Sequence, residues 1–143
     1  DVSPTMLQKM KEECDSVGVR NVFGLQPDEP WDKGAYADLV YSYWVFQHIE
    51  SFAEISQYIE RIARCLRQHG IAYLQFDTRP ATTAYRIRNR LPDAMLPRPW
   101  RRGIRRLRRP RPALLSLFAR NELLLVHEEG CNSENNIFVL QRA

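Results

Sequence analysis

Tyr36-Ala-Asp-Leu-Val-Tyr-Ser-Tyr-Trp-Val-Phe46, Ser51-Phe-Ala-Glu54 and Ile71-Ala-Tyr-Leu-Gln-Phe76 are the stretches whose order decides the fold. The first is apolar and aromatic, with only Asp38, Ser42 and the tyrosine hydroxyls as polar points. Bounded by turn signals and rich in β-formers, it predicts a strand buried on both faces. Ser51 and Glu54 form a capping box, so a helix starts there. Its apolar face is Phe52, Ile55, Ile59, Ile62, Ala63 and Leu66, and Gly70 is its expected stop. Ile71 to Phe76 reads as another buried strand. A strand, a helix of about five turns and a strand make a βαβ unit with parallel strands and a right-handed crossover.

Upstream, Ser3-Pro4 predicts a helix start, a capping hydroxyl followed by proline at the first helical position. Leu7, Met10, Cys14 and Val17 share one face, Gly18 is a stop, and Val19 to Leu25 is a short candidate strand weakened by Gly24. Downstream, Ala113 to Ala119 reads as a short helix. Glu122 to Glu128 and Asn136 to Gln141 read as closing strands joined by the polar loop 130–135, which suits an antiparallel hairpin. The class is α/β.

At 143 residues, 44% hydrophobic and 27% charged, the chain suits one globular domain. Disordered, collagen-like and coiled-coil classes are excluded by composition. No apolar run has the length of a membrane span, and the opening lacks a basic-then-apolar signal. Cys14, Cys65 and Cys131 lie far apart without a CxxC pair, which supports neither a disulfide framework nor a zinc site and fits the cytosol. The net charge of +4 is unevenly spread. Residues 79–112 hold twelve arginines, one acid and six of the nine prolines, whereas the remainder is mildly acidic. That segment reads as an insertion or lid within one domain. Trp100-Arg-Arg-Gly-Ile-Arg-Arg-Leu-Arg-Arg109 is expected to form a basic helix with Trp100, Ile104 and Leu107 on one side.

Four stretches, in order, resemble the class I S-adenosylmethionine-dependent methyltransferases of the bacterial small-molecule type. Residues 1–7 resemble the segment after the family's second strand, and residues 37–49 its fourth strand and the turn beyond. Residues 59–76 resemble the next helix and fifth strand, and residues 114–140 the last helix and closing antiparallel pair. The resemblance implies a Rossmann-like sheet, mostly parallel with an antiparallel C-terminal hairpin. It lacks the N-terminal strands and the Gly-rich cofactor turn, as a C-terminal part of the domain would. Gln68-His69-Gly70 stands where the family usually has Pro-Gly-Gly. In the family's strand order 3-2-1-4-5-7-6, the last four strands form a contiguous sheet, and residues 36–46 become an exposed edge open to self-association.

The resemblance also implies roles. Asp1 would hold the cofactor ribose through its acceptor oxygens, Met6 would pack on the adenine, and Asp28 would lie near the adenine amino group. Tyr41, Ser42 and Tyr43 end the fourth strand, near the methionine end of S-adenosylmethionine, since ligands sit beyond the carboxyl ends of such strands. His48, just past that strand, is the candidate general base, although methyl transfer can run on proximity alone. Asp77 and Arg79 face the substrate at the end of the fifth strand. Arg101, Arg102 and Arg105 would hold an anionic small-molecule acceptor, because guanidinium forks match carboxylate and phosphate. The isolated chain is expected to bind the cofactor weakly or not at all. The alternative from another class is a non-catalytic module binding RNA or another polyanion through its arginines. Trp100 is the one aromatic in the basic run 100–109, so a base-stacking platform is lacking.

Overall fold

The computed structural model describes residues 3–25, 34–101 and 104–143, in two compact units, residues 1–33 and 34–143. In the first unit, α1 spans Pro4–Ser16, with the Ser3 hydroxyl accepting from the Met6 amide. Gly18 takes a left-handed φ of 77°, which ends the helix. Residues 19–25 are irregular rather than a strand. Gly24 lies against Leu7 and Met10, where a Cβ would come within 2.9 Å of the Leu7 side chain, so this run packs back on its own helix.

The second unit is built on a four-stranded sheet. Its strands are β1 (Ala37–Ser42), β2 (Leu66–Phe76), β3 (Leu123–Glu129) and β4 (Asn136–Arg142), in the order β1-β2-β4-β3. The β1–β2 pair is parallel, and β2–β4 and β3–β4 are antiparallel. α2 (Phe52–Cys65) makes the crossover, its start fixed by the Ser51 hydroxyl accepting from the Glu54 amide. α2 and α4 (Arg111–Arg120) pack against the sheet and each other. Ile55, Ile59 and Ile62 of α2 and Leu114, Leu117 and Phe118 of α4 meet Ala72, Leu74, Phe76, Phe138 and Leu140 in the core. Phe46, Phe76, Phe118 and Phe138 form a ring cluster at its centre, with centroids 4.9–6.1 Å apart.

Three further expectations are corrected. The run 36–46 is not one strand buried on both faces: β1 stops at Ser42, and Phe46–His48 is a 3-10 turn. β1 is a sheet edge, and Leu39 and Tyr41 are about 60% exposed on the face opposite α2 and α4. β2 likewise alternates, with Ile71 and Tyr73 half-buried between Ala72 and Leu74. The second correction is the helix end. α2 stops at Cys65 and Leu66 is already extended, so Gly70 lies inside β2 rather than ending the helix. Arg142, at the end of β4, closes that helix by donating to the Leu66 carbonyl at 2.6 Å and reaching the Ala63 carbonyl. Third, the basic helix over 100–109 does not form among the described residues. The helix of the Arg/Pro segment is α3 (Thr83–Arg90), capped by Thr82.

Residues 67–70 bulge out of register between the pairs Ala37–Leu66 and Leu39–Ile71. His69 there has φ 65°, a conformation glycine takes without strain. Gly70 is packed instead, since a Cβ would lie 2.9 Å from the Arg67 carbonyl oxygen and 3.0 Å from that of Ala37. Adjacent substitutions therefore have opposite signs. His69→Gly should stabilise the chain by about 1 kcal/mol, and Gly70→Ala should destabilise it by about 1–3 kcal/mol. Urea denaturation of the two variants checks both.

Candidate functional site

The carboxyl ends of β1 and β2 lie side by side, the position where open α/β sheets hold ligands. After Ser42 the chain turns through Trp44, whose φ of 62° is unusual for a bulky residue. The strain is held by a hydrogen bond: the Trp44 amide donates to Gln75 Oε1 at 3.0 Å. Gln75 is fully buried, and its Nε2 donates to the Glu134 carbonyl at 2.7 Å and to Gln47 Oε1 at 3.4 Å. The Gln47 Nε2 lies 3.3 Å from His48 Nε2. One side chain of β2 thus organises the β1 turn and the β3–β4 loop together.

Asp77, two residues on, is also fully buried. Its Oδ1 and Oδ2 accept from Arg79 Nε and Nη2 at 3.1 and 2.6 Å. The hydrogen bond that Arg79 donates to Asp77 holds the Arg79 pKa above its usual value, against the opposing effect of burial. Arg79 continues to Glu134 at 3.1 Å, Glu134 to Arg106 at 3.3 Å, and Arg106 lies 5.4 Å over the Trp44 ring. Thr78 Oγ1 accepts from Asn136 Nδ2, which also donates to Glu128, itself gripped by Arg111 at 2.8 and 2.6 Å.

The Arg/Pro segment returns across these strand ends. The Leu107 amide donates to the Gln47 carbonyl at 2.7 Å, the Arg108 amide to the Tyr85 hydroxyl at 2.8 Å, and the Arg109 amide to the Asp77 carbonyl at 2.8 Å. Three consecutive amides spent outward cannot make helical bonds, which is why the expected basic helix is absent. Arg109 also donates through Nη2 to the Ile49 and Glu50 carbonyls, and burial lowers its pKa. Arg105 is 8% exposed, and its Nε and Nη1 have no partner among the described residues.

Among the expected site residues, Tyr43, His48, Asp77 and Arg79 gather on or beside these strand ends, and Arg105 is buried on the segment that crosses them. Tyr41 stacks on Tyr73 at 5.3 Å on the exposed sheet face, and Ser42 is the last residue of β1. Asp77 and Arg79 are engaged with each other. Arg101 is exposed and donates through Nε to the Leu96 carbonyl at 3.1 Å. Met6 is 53% exposed on α1, in the other unit. Asp1, Asp28 and Arg102 lie outside the described residues. Sequence reasoning missed Gln47, Gln75 and Glu134. A glutamine inside Ile71 to Phe76 was the available signal, since a polar residue in a buried run is the informative exception.

This is an α/β domain with a polar site at the carboxyl ends of a parallel strand pair. The family model for the methyltransferase domain matches residues 1–74, somewhat more than half of the 143. The chain belongs to that family. No curated protein matches it. Among solved structures it is similar to a protein from Bordetella parapertussis described as a possible exported protein, at 13% identity and TM-score 0.68, covering 99% of this chain and 51% of that one. It is similar to a SAM-dependent methyltransferase from Methanosarcina mazei, at 13% identity and TM-score 0.67, covering 99% of this chain and 79% of that one. An O-methyltransferase family protein from Burkholderia thailandensis gives 16% identity and TM-score 0.64, over 95% of this chain and 40% of that one. At such identities the likeness shows the fold alone. The chain spans about half the length of the first of these. Among the described residues no helix is long and apolar enough to cross a membrane.

Glu128 supports the β2 end through Asn136 and Thr78, and Arg111 beside it holds its carboxyl below the usual carboxylate range. A lowered folded pKa contributes stability above the unfolded pKa that is lost as pH falls through the folded value. Wild type should therefore exceed Glu128→Gln in stability at pH 7, with the gap closing under acid. Denaturation midpoints over a pH series check this, and a gap independent of pH contradicts it.

Proposed function

We propose that the chain is part of an S-adenosylmethionine-dependent methyltransferase of the cytosol, with a small anionic acceptor bound under the Arg/Pro segment. The observation that carries the reading is the buried Arg105 guanidinium. It has unpartnered Nε and Nη1 and belongs to a segment laid across the ends of β1 and β2, in a chain of the methyltransferase family. An unpaired buried cation is costly and is satisfied by an anion. Two of the compared solved structures bear methyltransferase names.

When bound, S-adenosylmethionine supplies a methyl group on a sulfonium. The described residues fit one wall of its site. Among the described residues β1 has a strand partner on one side only, and the half-exposed Tyr43 and Trp44 rings stack at 5.5 Å just beyond its carboxyl end. Tyr41, Ser42 and Tyr43 would meet the methionine end. His48 would stand at the acceptor, with the buried Arg105 on its anionic group. Asp77 and Arg79 act there as the anchor of the cover. The same edge of β1, with Leu39 and Tyr41 exposed beside it, is the surface through which the chain would self-associate.

The polyanion-binding alternative is not favoured. Arg79, Arg88, Arg101, Arg106, Arg108, Arg109 and Arg111 all contact carboxylates, carbonyls or rings of the chain itself. They serve as struts rather than a free basic face.

Amide chemical shifts of the 143-residue chain, titrated with S-adenosylmethionine to millimolar concentration, test the reading. Signals of Tyr41 to Trp44 should move and those of the 130–135 loop should not, with an affinity weaker than micromolar. Unmoved signals over Tyr41 to Trp44 contradict the site, and micromolar affinity contradicts the expectation that this part alone binds weakly.

A further inference from the structure

A chain of side-chain amide contacts runs from backbone groups to the ring of His48. Gln75 has only one workable orientation. Its Oε1 faces the Trp44 amide, which can only donate, and its Nε2 faces the Glu134 carbonyl, which can only accept. An Asn or Gln flip is ordinarily assigned by optimising a network, whereas here the backbone fixes it. The same Nε2 faces Gln47, so the Gln47 atom on that side, at 3.4 Å, is the oxygen. The opposite orientation would set two amide nitrogens against each other.

Gln47 then turns its Nε2 toward His48 Nε2 at 3.3 Å. An amide nitrogen only donates, so His48 Nε2 must accept and the ring proton sits on Nδ1. Gln47 and Gln75 are 1% and 0% exposed, so bulk water does not compete for these bonds. The backbone beside the ring is pinned too. The Gln47 carbonyl accepts from the Leu107 amide, the Ile49 carbonyl from Arg109, and the His48 amide bonds Val45 at 3.0 Å.

His48 Nδ1 is itself buried and has no partner among the described residues. It shares that condition with Arg105 Nε and Nη1 and with Arg109 Nε, on the segment that clasps the turn. The clasp thus carries unpartnered donors from both of its sides.

We infer that Gln75 and Gln47 are positioning residues that fix His48 as the Nδ1–H tautomer, so that His48 meets the methyl acceptor as a hydrogen-bond donor to one of its oxygens rather than as a proton-abstracting base. The tautomer rests on geometry alone, and the oxygen it serves rests on the acceptor site proposed above. That oxygen belongs to an oxyanion or carbonyl of the acceptor, the kind of group that the guanidiniums beside it also favour.

Nitrogen-15 spectra of the histidine-labelled 143-residue chain, without cofactor, test the inference. The His48 signal is identified by its loss in His48→Asn. The expected wild-type pattern is a protonated Nδ1 and an unprotonated Nε2. Nε2–H in the wild type would overturn the inference and restore His48 as a base through Nδ1. Gln47→Glu puts an acceptor-only carboxylate against the ring and should move the proton to Nε2, an effect that a merely structural role of Gln47 would not produce. An unchanged tautomer in a folded Gln47→Glu would overturn the relay, and if that variant does not fold the wild-type spectrum decides alone. The cofactor titration over Tyr41 to Trp44 is independent of this proton, so failure of the tautomer and failure of the methyltransferase reading are told apart.

Discussion

The end of β2 and the two residues after it tie together parts of the chain that would otherwise be separate. Gln75 holds the β1 turn and the β3–β4 loop, Asp77 holds the returning Arg/Pro segment by its carbonyl and Arg79 by its carboxylate, and Thr78 reaches the base of the hairpin. Each buried amide or carbonyl left unpaired costs about 1–3 kcal/mol. An apolar residue at position 75 would orphan the Trp44 amide and the Glu134 carbonyl together. A glutamine, offering a donor and an acceptor at opposite corners of one side chain, satisfies both. The site is therefore a consequence of how β2 ends.

The arginines extend the same logic. A segment so rich in one charge would normally repel itself into solvent. Here acids of the sheet and its loop, Asp77, Glu128 and Glu134, draw three of these guanidiniums inward. Tyr85 and Trp100 take Arg88 between them at 5.3 and 5.2 Å. Among the described residues the buried atoms without a partner include Arg88 Nε and the acceptors Asn89, Asn135 and Asn136 Oδ1, while the segment and the turn it clasps hold Arg105 Nε and Nη1, Arg109 Nε and His48 Nδ1 as donors. The selectivity proposed for the site follows from that residue of unspent donors.

Much of this was legible in the sequence. The βαβ unit followed from the Ser51–Glu54 capping box and the isoleucine spacing of α2, because local capping and a one-sided apolar face agree there. The closing hairpin followed from two short apolar runs and a polar loop. The run 36–46 was misread because an unbroken apolar run looks the same whether a strand is buried on both faces or lies at an edge and then turns. The basic helix had helical spacing at Trp100, Ile104 and Leu107, yet tertiary acceptors on Gln47, Tyr85 and Asp77 outcompeted the helix for its amides. The relay from Gln75 to His48 depends on the meeting of Gln75 with Gln47, 28 residues apart in sequence, and no periodicity encodes such a meeting.

The central claim is that the Arg/Pro segment is a fixed cover locked to the end of β2. Native-state hydrogen exchange at the Leu107 and Arg109 amides tests it most directly, because both bonds cross from the segment to the strand ends. The account predicts protection approaching that of the β2–β4 ladder, since the cover then opens only when the sheet does. Exchange at the rate of an open loop, with the ladder still protected, would contradict it.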